Sequence, residues 1–477
     1  MSRTLSSLAL VALFLAACGG TAAPSSSPPA SVAKPASVVA SASAKPAASA
    51  AASASAKPVA SASAKPAASA AAAASGQPIR IGLIEDVTGV LANTARDNID
   101  GFNFYLSSIN NTVAGRRVEI TIADTQLKAD VALTKAKQLV ENDRVNLITG
   151  LIVTNECYAI APYIREVQMP TVVANGCVAQ NLMIDDKYKS PWLIRTSDSN
   201  TQVTDPLVDW AIKQGYKKAS MISIDNAGGV EASDTFASAF ISRGGTIVQE
   251  QHPAFGTPDF GPLVSQIDPG ADVLFAFETG IDGLRLGQAV ASYSGAKKPV
   301  ILDSINGITD ASNLPQLKDK AEGIISSNVY SRAFEGKPNQ DLLKAWNAKY
   351  ADRLVGPAVA HSYSAAQVIV AAIQKVNGNV EDKQAFMNAL YAASAETVKG
   401  PLKLDQDHDV VENVYIAKMV KKGDTVDEQL LDTYKEVPAS WVRTPQQLRT
   451  FPFGTMKGKW VGMTKEQIPG GPVGPPK

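Results

Sequence analysis

The sequence predicts an α/β protein of two lobes, each a parallel sheet covered by helices on both faces. Short apolar strands begin at Ile79 and alternate with segments of helical spacing, and the same alternation starts again after Arg195. Apolar runs separated by helices are typical of strands buried on both faces of a parallel sheet. Two complete series of this kind therefore indicate two lobes rather than one extended sheet.

The first series contains four strands with helices between them. Its strands are predicted at 79–84, 118–122, 145–148 and 170–173, and its helices at 99–109, at 131–140 and through Ile160 and Ile164. The second series opens with a helix at 203–212 and has strands at 219–224, 246–248, 272–277 and 299–302. A strand pair is expected at 401–404 and 414–417. From about Asp432 an irregular tail follows, whose aromatic side chains we expect to pack back onto a lobe (Trp441, Phe451, Phe453 and Trp460).

The N-terminus resembles the signal of a bacterial lipoprotein. Arg3 precedes a short apolar run, and Leu15-Ala16-Ala17-Cys18 has the pattern of a lipobox, whose cysteine receives the lipid. The apolar run is shorter than the roughly 20 residues that cross a bilayer as a helix. We expect residues 1–18 to form the signal peptide and lipobox, with Cys18 as the membrane anchor. The alternative is a plain secretory signal with an incidental cysteine.

Residues 19–78 are almost wholly Ala, Ser, Pro, Lys and Val, with Ala-Ser-Ala-Lys-Pro as a recurring unit. Such a segment has no large side chains whose burial would offset the entropy of ordering it. We therefore predict a disordered tether that holds the folded part away from the lipid.

Charge and residue inventory exclude several classes of protein. Lys plus Arg and Asp plus Glu number 45 each, which gives no electrostatic basis for nucleic-acid binding. Three cysteines and three histidines are too few for a multi-ligand zinc or iron–sulfur site, so no metal or other cofactor is expected. His252, His361 and His408 lie in different contexts and no nucleophile-elbow motif is evident, which makes an enzyme the least favoured class.

A set of short motifs, taken in order, resembles type I periplasmic binding proteins, with the leucine/isoleucine/valine-binding group as the closest branch. The motifs lie between residues 79 and 430 and include Gly82 to Gly101, Ala123-Asp124-Thr125, Arg195-Thr196, Gly256 to Phe260 and Lys399 to Leu402. The resemblance implies two Rossmann-like lobes with parallel sheets, joined by a three-stranded hinge.

The resemblance also implies where the chain passes between the lobes. The crossings are expected near 197–202, 326–331 and 397–402. Lobe one would then comprise 79–198 plus 329–399, lobe two 200–326 plus 401–435, and the irregular C-terminal tail 436–477.

Ligands of open parallel sheets bind beyond the carboxyl ends of the strands, where helix N-termini present free N–H groups. In lobe one this position and the resemblance select loops after the first, third and fourth strands: Thr88 and Gly89, then Thr154 and Asn155, then Ala174, Asn175 and Gly176. In the family a hydroxyl at a helix start grips the ligand carboxylate, which is the role implied for the second loop. As helix caps, these side chains could instead serve only their own helix.

Lobe two offers three further loops. Asn226 stands where the family often has a tyrosine that closes over the ligand, and Glu278 and Thr279 follow the next strand. The amino-acid-binding branch has an acidic residue near Asp303 and Ser304, to neutralise the ligand's ammonium. A buried ammonium needs a carboxylate partner. If neither Asp303 nor Glu278 faces the cleft, an aromatic or aliphatic acid, or an amide, becomes the better ligand.

Two cysteines remain once Cys18 carries a lipid. Cys157 and Cys177 form an even pair in an oxidising compartment and fall on neighbouring loops of lobe one. We expect a disulfide that braces the ligand-binding loops; the alternative is two free, half-buried thiols.

The sequence therefore predicts an extracytoplasmic, lipid-anchored binding protein of an ABC importer. It would act as a monomer that captures a small organic solute by hinge closure and presents it to the permease subunits in the membrane. The solute would be a branched-chain or other amino acid, an aromatic or aliphatic acid, or an amide. The alternative is a ligand-sensing or regulatory module that is not coupled to transport.

Overall fold

The computed structural model describes residues 76–295 and 297–476. The predicted signal peptide, the lipidation site at Cys18 and the tether up to residue 75 lie outside the described residues. None of the described helices combines the length and the apolar character needed to cross a bilayer.

The first sheet has six strands in the order β2-β3-β1-β4-β5-β6. All neighbours are parallel except β2 and β3, which form a hairpin. The strands are β1 Ile79–Glu85, β2 Thr112–Val113, β3 Arg116–Asp124, β4 Leu147–Gly150, β5 Thr171–Val173 and β6 Leu193–Arg195. Four helices connect them: α1 Ala92–Ser108, α2 Ala129–Glu141, α3 Thr154–Val167 and α4 Asn181–Ile184.

The second sheet has nine strands and begins after the first crossing of the chain. Its parallel part has the order β8-β7-β9-β10-β11, and β14 then pairs antiparallel with β11. The parallel strands are β7 Lys218–Ser223, β8 Thr246–Gln251, β9 Val273–Phe277, β10 Val300–Ser304 and β11 Ile325–Asn328. The helices of this layer are α5 Asn200–Lys213, α6 Ala227–Ser242, α7 Gly261–Ser265, α8 Gly280–Ala291 and α9 Leu314–Leu317.

After β11 the chain returns to the first sheet with three helices, α10 Lys337–Lys349, α11 Pro357–Lys375 and α12 Lys383–Tyr391, of which α11 packs along α1. It then completes the second sheet with β12 Ser394–Thr397, β13 Gly400–Leu404, β14 Val410–Lys422 and β15 Thr425–Val437. The first predicted crossing falls between β6 and α5, the second at the end of β11, and the third at the turn between β12 and β13. We retain the lobe boundaries derived above as a proposal on this basis.

Strand β15 corrects one expectation. The irregular tail was expected from about Asp432, whereas residues up to Val437 continue a strand that pairs with β14. Most side chains of β15 are exposed or half-buried. An edge strand of this kind lacks the apolar run that identifies a buried strand.

Beyond Val437 the chain contains one short α-helix, α13 Pro445–Thr450, and a 3-10 turn at Lys465–Gln467, and it contacts helices α5 and α6. Trp460 is fully buried, and its indole N–H donates to Asp234 of α6 at 2.8 Å. The guanidinium of Arg443 pairs with the buried carboxylate of Asp205 in α5. The other aromatic side chains of the tail, Trp441, Phe451 and Phe453, are also buried.

Candidate ligand-binding site

A cavity lies between the two sheets, at the carboxyl ends of their parallel strands. About 90 Å³ of it is open to the centres of water-sized molecules. The wall combines side chains of the first layer, of the second layer and of the connecting segments: Leu91, Thr94, Ile152, Val153, Thr154, Asn175, Gly176, Val178, Asp198, Asn226, Gly228, Phe255, Phe277, Thr279, Gly280, Ile305, Asn306, Gly307, Asp310, Asn328, Pro357, Ala358 and His361.

Five helices begin at the wall of this cavity. Thr154, Gly280 and Pro357 are the first residues of α3, α8 and α11, and Leu91 and Asn226 are the N-caps of α1 and α6. Helix N-termini present unpaired N–H groups and a partial positive charge. None of the residues in the wall is a lysine or arginine. The N-termini of these helices are therefore the groups of the wall that favour an anion, and they share the wall with two carboxyl side chains, Asp198 and Asp310.

The two layers touch each other around the cavity, which gives a closed conformation. The side-chain oxygen of Asn155 in α3 accepts a hydrogen bond from the N–H of Ala227 in α6 at 3.0 Å. The N–H of Ile281 in α8 donates to the carbonyl of Val90, just before α1, at 3.2 Å. A Cβ atom on Gly228 would lie only 2.9 Å from the hydroxyl of Thr154 across the cleft.

Five of the residues selected from the sequence lie in the wall: Thr154, Asn175, Gly176, Asn226 and Thr279. Thr154 does not use its side chain to cap α3, and the hydroxyl of Thr279 has no hydrogen-bond partner within the described residues. Asn226 caps its own helix by accepting the N–H of Gly229 at 2.8 Å. The side-chain oxygen of Asn175 accepts a hydrogen bond from Nδ1 of His361, which fixes the orientation of the Asn175 amide.

Four other selected residues of the first layer do not line the cavity. Thr88 and Gly89 are exposed, and the hydroxyl of Thr88 donates to Asp124 at 2.9 Å. Ala174 is buried beneath the wall, and Asn155 bonds across the rim of the cleft instead of pointing into it. Their predicted contact with a ligand stays a prediction.

The acidic residues considered for a ligand ammonium also lie outside the wall. The carboxylate of Asp303 accepts the N–H groups of Ile308 and Thr309 and the Thr309 hydroxyl, so it is occupied by its own loop. Ser304 is buried against Thr204 at 3.3 Å. Glu278 is buried without a hydrogen bond to either carboxyl oxygen, and burial raises its pKa well above the usual value.

Two acidic side chains that the sequence did not single out are in the wall instead. Asp310 accepts the N–H and the hydroxyl of Ser312, two residues along its own turn. Asp198 lies in the first crossing segment and is 2% exposed. The position of Asp198 in a predicted crossing, at the floor of the predicted cleft, was the feature of the sequence that could have identified it as a wall residue. Within the described residues, no group of three or more His, Cys, Asp or Glu side chains is arranged to hold a metal ion.

His361 is a further polar residue of the wall that the sequence did not select. It is 1% exposed on α11, with Nδ1 at 3.1 Å from the side-chain oxygen of Asn175 and Nε2 at 3.3 Å from that of Asn328. Burial, and secondly the charge of Lys399, lower its pKa well below the usual value. The imidazole is therefore neutral at physiological pH and adds no charge to the cavity.

Aromatic surface in the second layer comes from residues other than the expected lid position. Phe277 ends β9 and Phe255 lies in the loop after β8, and both contribute to the wall. Together with Leu91, Ile152 and Ile305 they provide the apolar part of the cavity.

The disulfide between Cys157 and Cys177 is present and closes a loop of sequence separation 20. It joins the first turn of α3 to the loop after β5. Both segments contribute to the wall, so the bond fixes their spacing.

Two α/β lobes that enclose a small cavity at their strand ends define the class of two-lobed solute-binding proteins. The comparison with known sequences specifies the family: residues 78–424 match the periplasmic binding protein family, and the chain belongs to it. A Leu/Ile/Val-binding protein homologue of Brucella melitensis is 26% identical over 353 residues, covering 72% of this chain and 88% of the relative.

Solved structures agree with this assignment. An ABC transporter substrate-binding protein from Sphaerobacter thermophilus has a TM-score of 0.71 and 29% identity, over 76% of this chain and 99% of that one. A solute-binding protein of an ABC transporter from Rhodopseudomonas palustris BisB5, solved with 3,4-dihydroxybenzoic acid, has a TM-score of 0.71 and 25% identity, over 76% and 98%. A leucine-binding protein from Thermotoga maritima, at 19% identity and a TM-score of 0.65, shares the fold.

Proposed function

We propose that this protein captures a small organic carboxylate outside the cytoplasm and delivers it to the permease of an ABC importer. One observation carries the proposal: five helix N-termini of both layers meet at a closed cavity whose wall has no cationic side chain. N–H groups and hydroxyls arranged in this way bind a carboxylate without the desolvation cost of a buried lysine or arginine. We propose Thr154 and Thr279 as hydroxyls that donate to it.

A carboxylate without an ammonium group suits the wall better than an amino acid. Asp303 is occupied by its own loop, Glu278 lies outside the wall, and Asp310 already accepts two hydrogen bonds. Burial raises the pKa of Asp198, the remaining acid of the wall. The apolar side chains around it suit an aromatic ring or a branched aliphatic body, and the relative from R. palustris BisB5 binds an aromatic acid.

Capture proceeds by hinge closure. The ligand contacts both layers only when they meet, so its binding free energy shifts the population toward the closed form. The contacts of Asn155 with Ala227 and of Ile281 with Val90 form in that state. The permease then recognises the closed shape.

We propose further that Cys18 carries the lipid anchor, that residues 19–78 form the tether, and that the protein acts as an extracytoplasmic monomer without catalytic activity. The alternative is a ligand sensor that is not coupled to transport. An adjacent permease and ATPase in the genome would favour transport.

Thermal unfolding of the full-length chain in mild detergent, with and without ligand, tests the proposal. The ligands are benzoate, hydroxybenzoates, 4-methylpentanoate, benzamide and leucine. A bound acid at a hundredfold excess over its Kd should add about 2.7 kcal/mol to the free energy of unfolding. Stabilisation by leucine alone would show that the ligand is a zwitterion and not a simple carboxylate. If none of the compounds stabilises the protein, the result contradicts solute capture.

A further inference from the structure

Two acceptor oxygens of the cavity wall have no hydrogen-bond partner within the described residues. One is Oδ2 of Asp198, in the segment that connects the lobes, and the other is the side-chain oxygen of Asn306, after β10 in the second layer. Both residues are 2% exposed. A buried acceptor without a partner costs about 1–3 kcal/mol, so each position calls for a donor.

The cationic groups near Asp198 are already committed to other partners. The ammonium of Lys399 donates to the carbonyl of Thr196 at 2.7 Å and to Glu412 at 2.8 Å. Arg195 pairs with Asp409 through two hydrogen bonds and donates to two backbone carbonyls.

The imidazole of His361 is committed as well. A neutral imidazole has one N–H, which the shorter contact assigns to Nδ1 as the donor to the Asn175 oxygen, and Nδ1 is 3.8 Å from the nearer Asp198 oxygen. Residues 76–295 and 297–476 thus provide no donor for Oδ2 of Asp198, and a molecule held in the cavity can supply one.

Asn306 lies in the wall of the cavity and has an unusual backbone conformation. Its φ of 58° lies in the left-handed region, which asparagine tolerates better than most residues. It stands between Ile305 and Gly307, which also line the wall. Its unpaired amide oxygen accepts hydrogen bonds and cannot donate them.

A hydroxyl group at each position satisfies these oxygens. One donates to the amide oxygen of Asn306, and another suits Asp198 in either protonation state, because a hydroxyl both donates and accepts. An ammonium would require the ionised form of Asp198, which burial disfavours. The helix N-termini remain available for the carboxylate.

We propose that the ligand is a hydroxylated carboxylic acid, whose hydroxyl groups hydrogen-bond to Asp198 and Asn306. This inference rests on the proposed capture of a carboxylate and specifies the chemical class of the acid. An unsubstituted acid would leave both oxygens desolvated and unpaired.

Isothermal titration of the full-length chain in mild detergent tests the inference with benzoate, 4-hydroxybenzoate and 3,4-dihydroxybenzoate. The better hydroxylated acid should bind about 10- to 100-fold more tightly than benzoate. Asp198→Ala should reduce this preference toward unity. Asn306→Gly should also reduce it, and glycine keeps the left-handed backbone conformation.

Asp186→Ala is the matched control, because Asp186 is exposed and outside the cavity. The Asp186→Ala protein should prefer hydroxylated acids over benzoate as strongly as the unchanged protein does. Equal binding of benzoate and both hydroxybenzoates would overturn the inference while leaving carboxylate capture intact. An undiminished preference in both Asp198→Ala and Asn306→Gly would also overturn it. Binding of none of the acids would instead overturn the proposed function together with this inference.

Discussion

Gly228→Ala is expected to weaken ligand binding without weakening the fold. Gly228 is the second residue of α6, and an added Cβ would lie 2.9 Å from the Thr154 hydroxyl and 3.4 Å from Cγ2 of Val178, both across the cleft. Overpacking of this kind costs about 1–3 kcal/mol. The contacts form only when the lobes are closed, so this cost applies to the closed state.

The expected result is a Kd increase of roughly 5- to 150-fold, since each 1.4 kcal/mol is a factor of ten. The free energy of unfolding without ligand should stay level or rise by up to about 1 kcal/mol, because alanine favours a helix over glycine. Titration calorimetry with the best-binding acid and urea unfolding of the ligand-free chain measure the two quantities.

Gly229→Ala provides the contrast on the same helix. Its Cβ would lie 2.1 Å from the carbonyl oxygen of Ile224, within lobe two, so it should lower the free energy of unfolding itself. A Gly228→Ala protein that binds as tightly as the unchanged chain would refute the closed geometry in which Gly228 lies against Thr154.

Three further predictions concern stability. Replacing Cys157 and Cys177 together by serine should lower the free energy of unfolding by about 3 kcal/mol, because the disulfide closes a loop of separation 20; urea unfolding that matches the unchanged oxidised chain would contradict this. Trp460→Ala should cost about 3–5 kcal/mol, since it removes a fully buried side chain that donates to Asp234; a loss below about 1 kcal/mol in urea would show that the tail adds little. Burial raises the pKa of Glu231 from 4.5 to about 8, so the folded protein keeps a proton that the unfolded chain releases and stability falls as pH rises through that interval. In urea titrations, Glu231→Gln should reduce the fall of the free energy of unfolding between pH 5 and pH 8. An unchanged slope would argue against a raised pKa of Glu231.

The sequence predicted the parallel strands well because they are buried on both faces. The apolar runs that became β1, β7 and β9 identify themselves without any knowledge of their neighbours. Strand β11, Ile-Ser-Ser-Asn, is polar in sequence yet buried, because β10 and β14 flank it on both sides, and its own residues give no sign of that position. The edge strand β15 is mostly exposed or half-buried and was missed for the opposite reason.

The same division holds for the site. Thr154, Asn175, Asn226 and Thr279 follow strand ends directly, and the rule that ligands bind there was sufficient to select them. His361 lies on a helix that reaches the cavity only because α11 packs along α1. The sequence could not predict the hydrogen bonds of Asp303 either. Its carboxylate accepts from the N–H groups of a loop whose shape depends on the surrounding packing.

The C-terminal tail sets a limit on how this chain can be shortened. The family match stops at residue 424, yet two residues beyond it bind carboxylates buried in helices of lobe two. Arg443 pairs with Asp205, and Trp460 donates a hydrogen bond to Asp234. A chain ending at the family boundary would remove these partners of both acids. We therefore expect relatives that lack the tail to carry uncharged residues at these two positions, so that the pair of acids marks the tailed members from sequence alone.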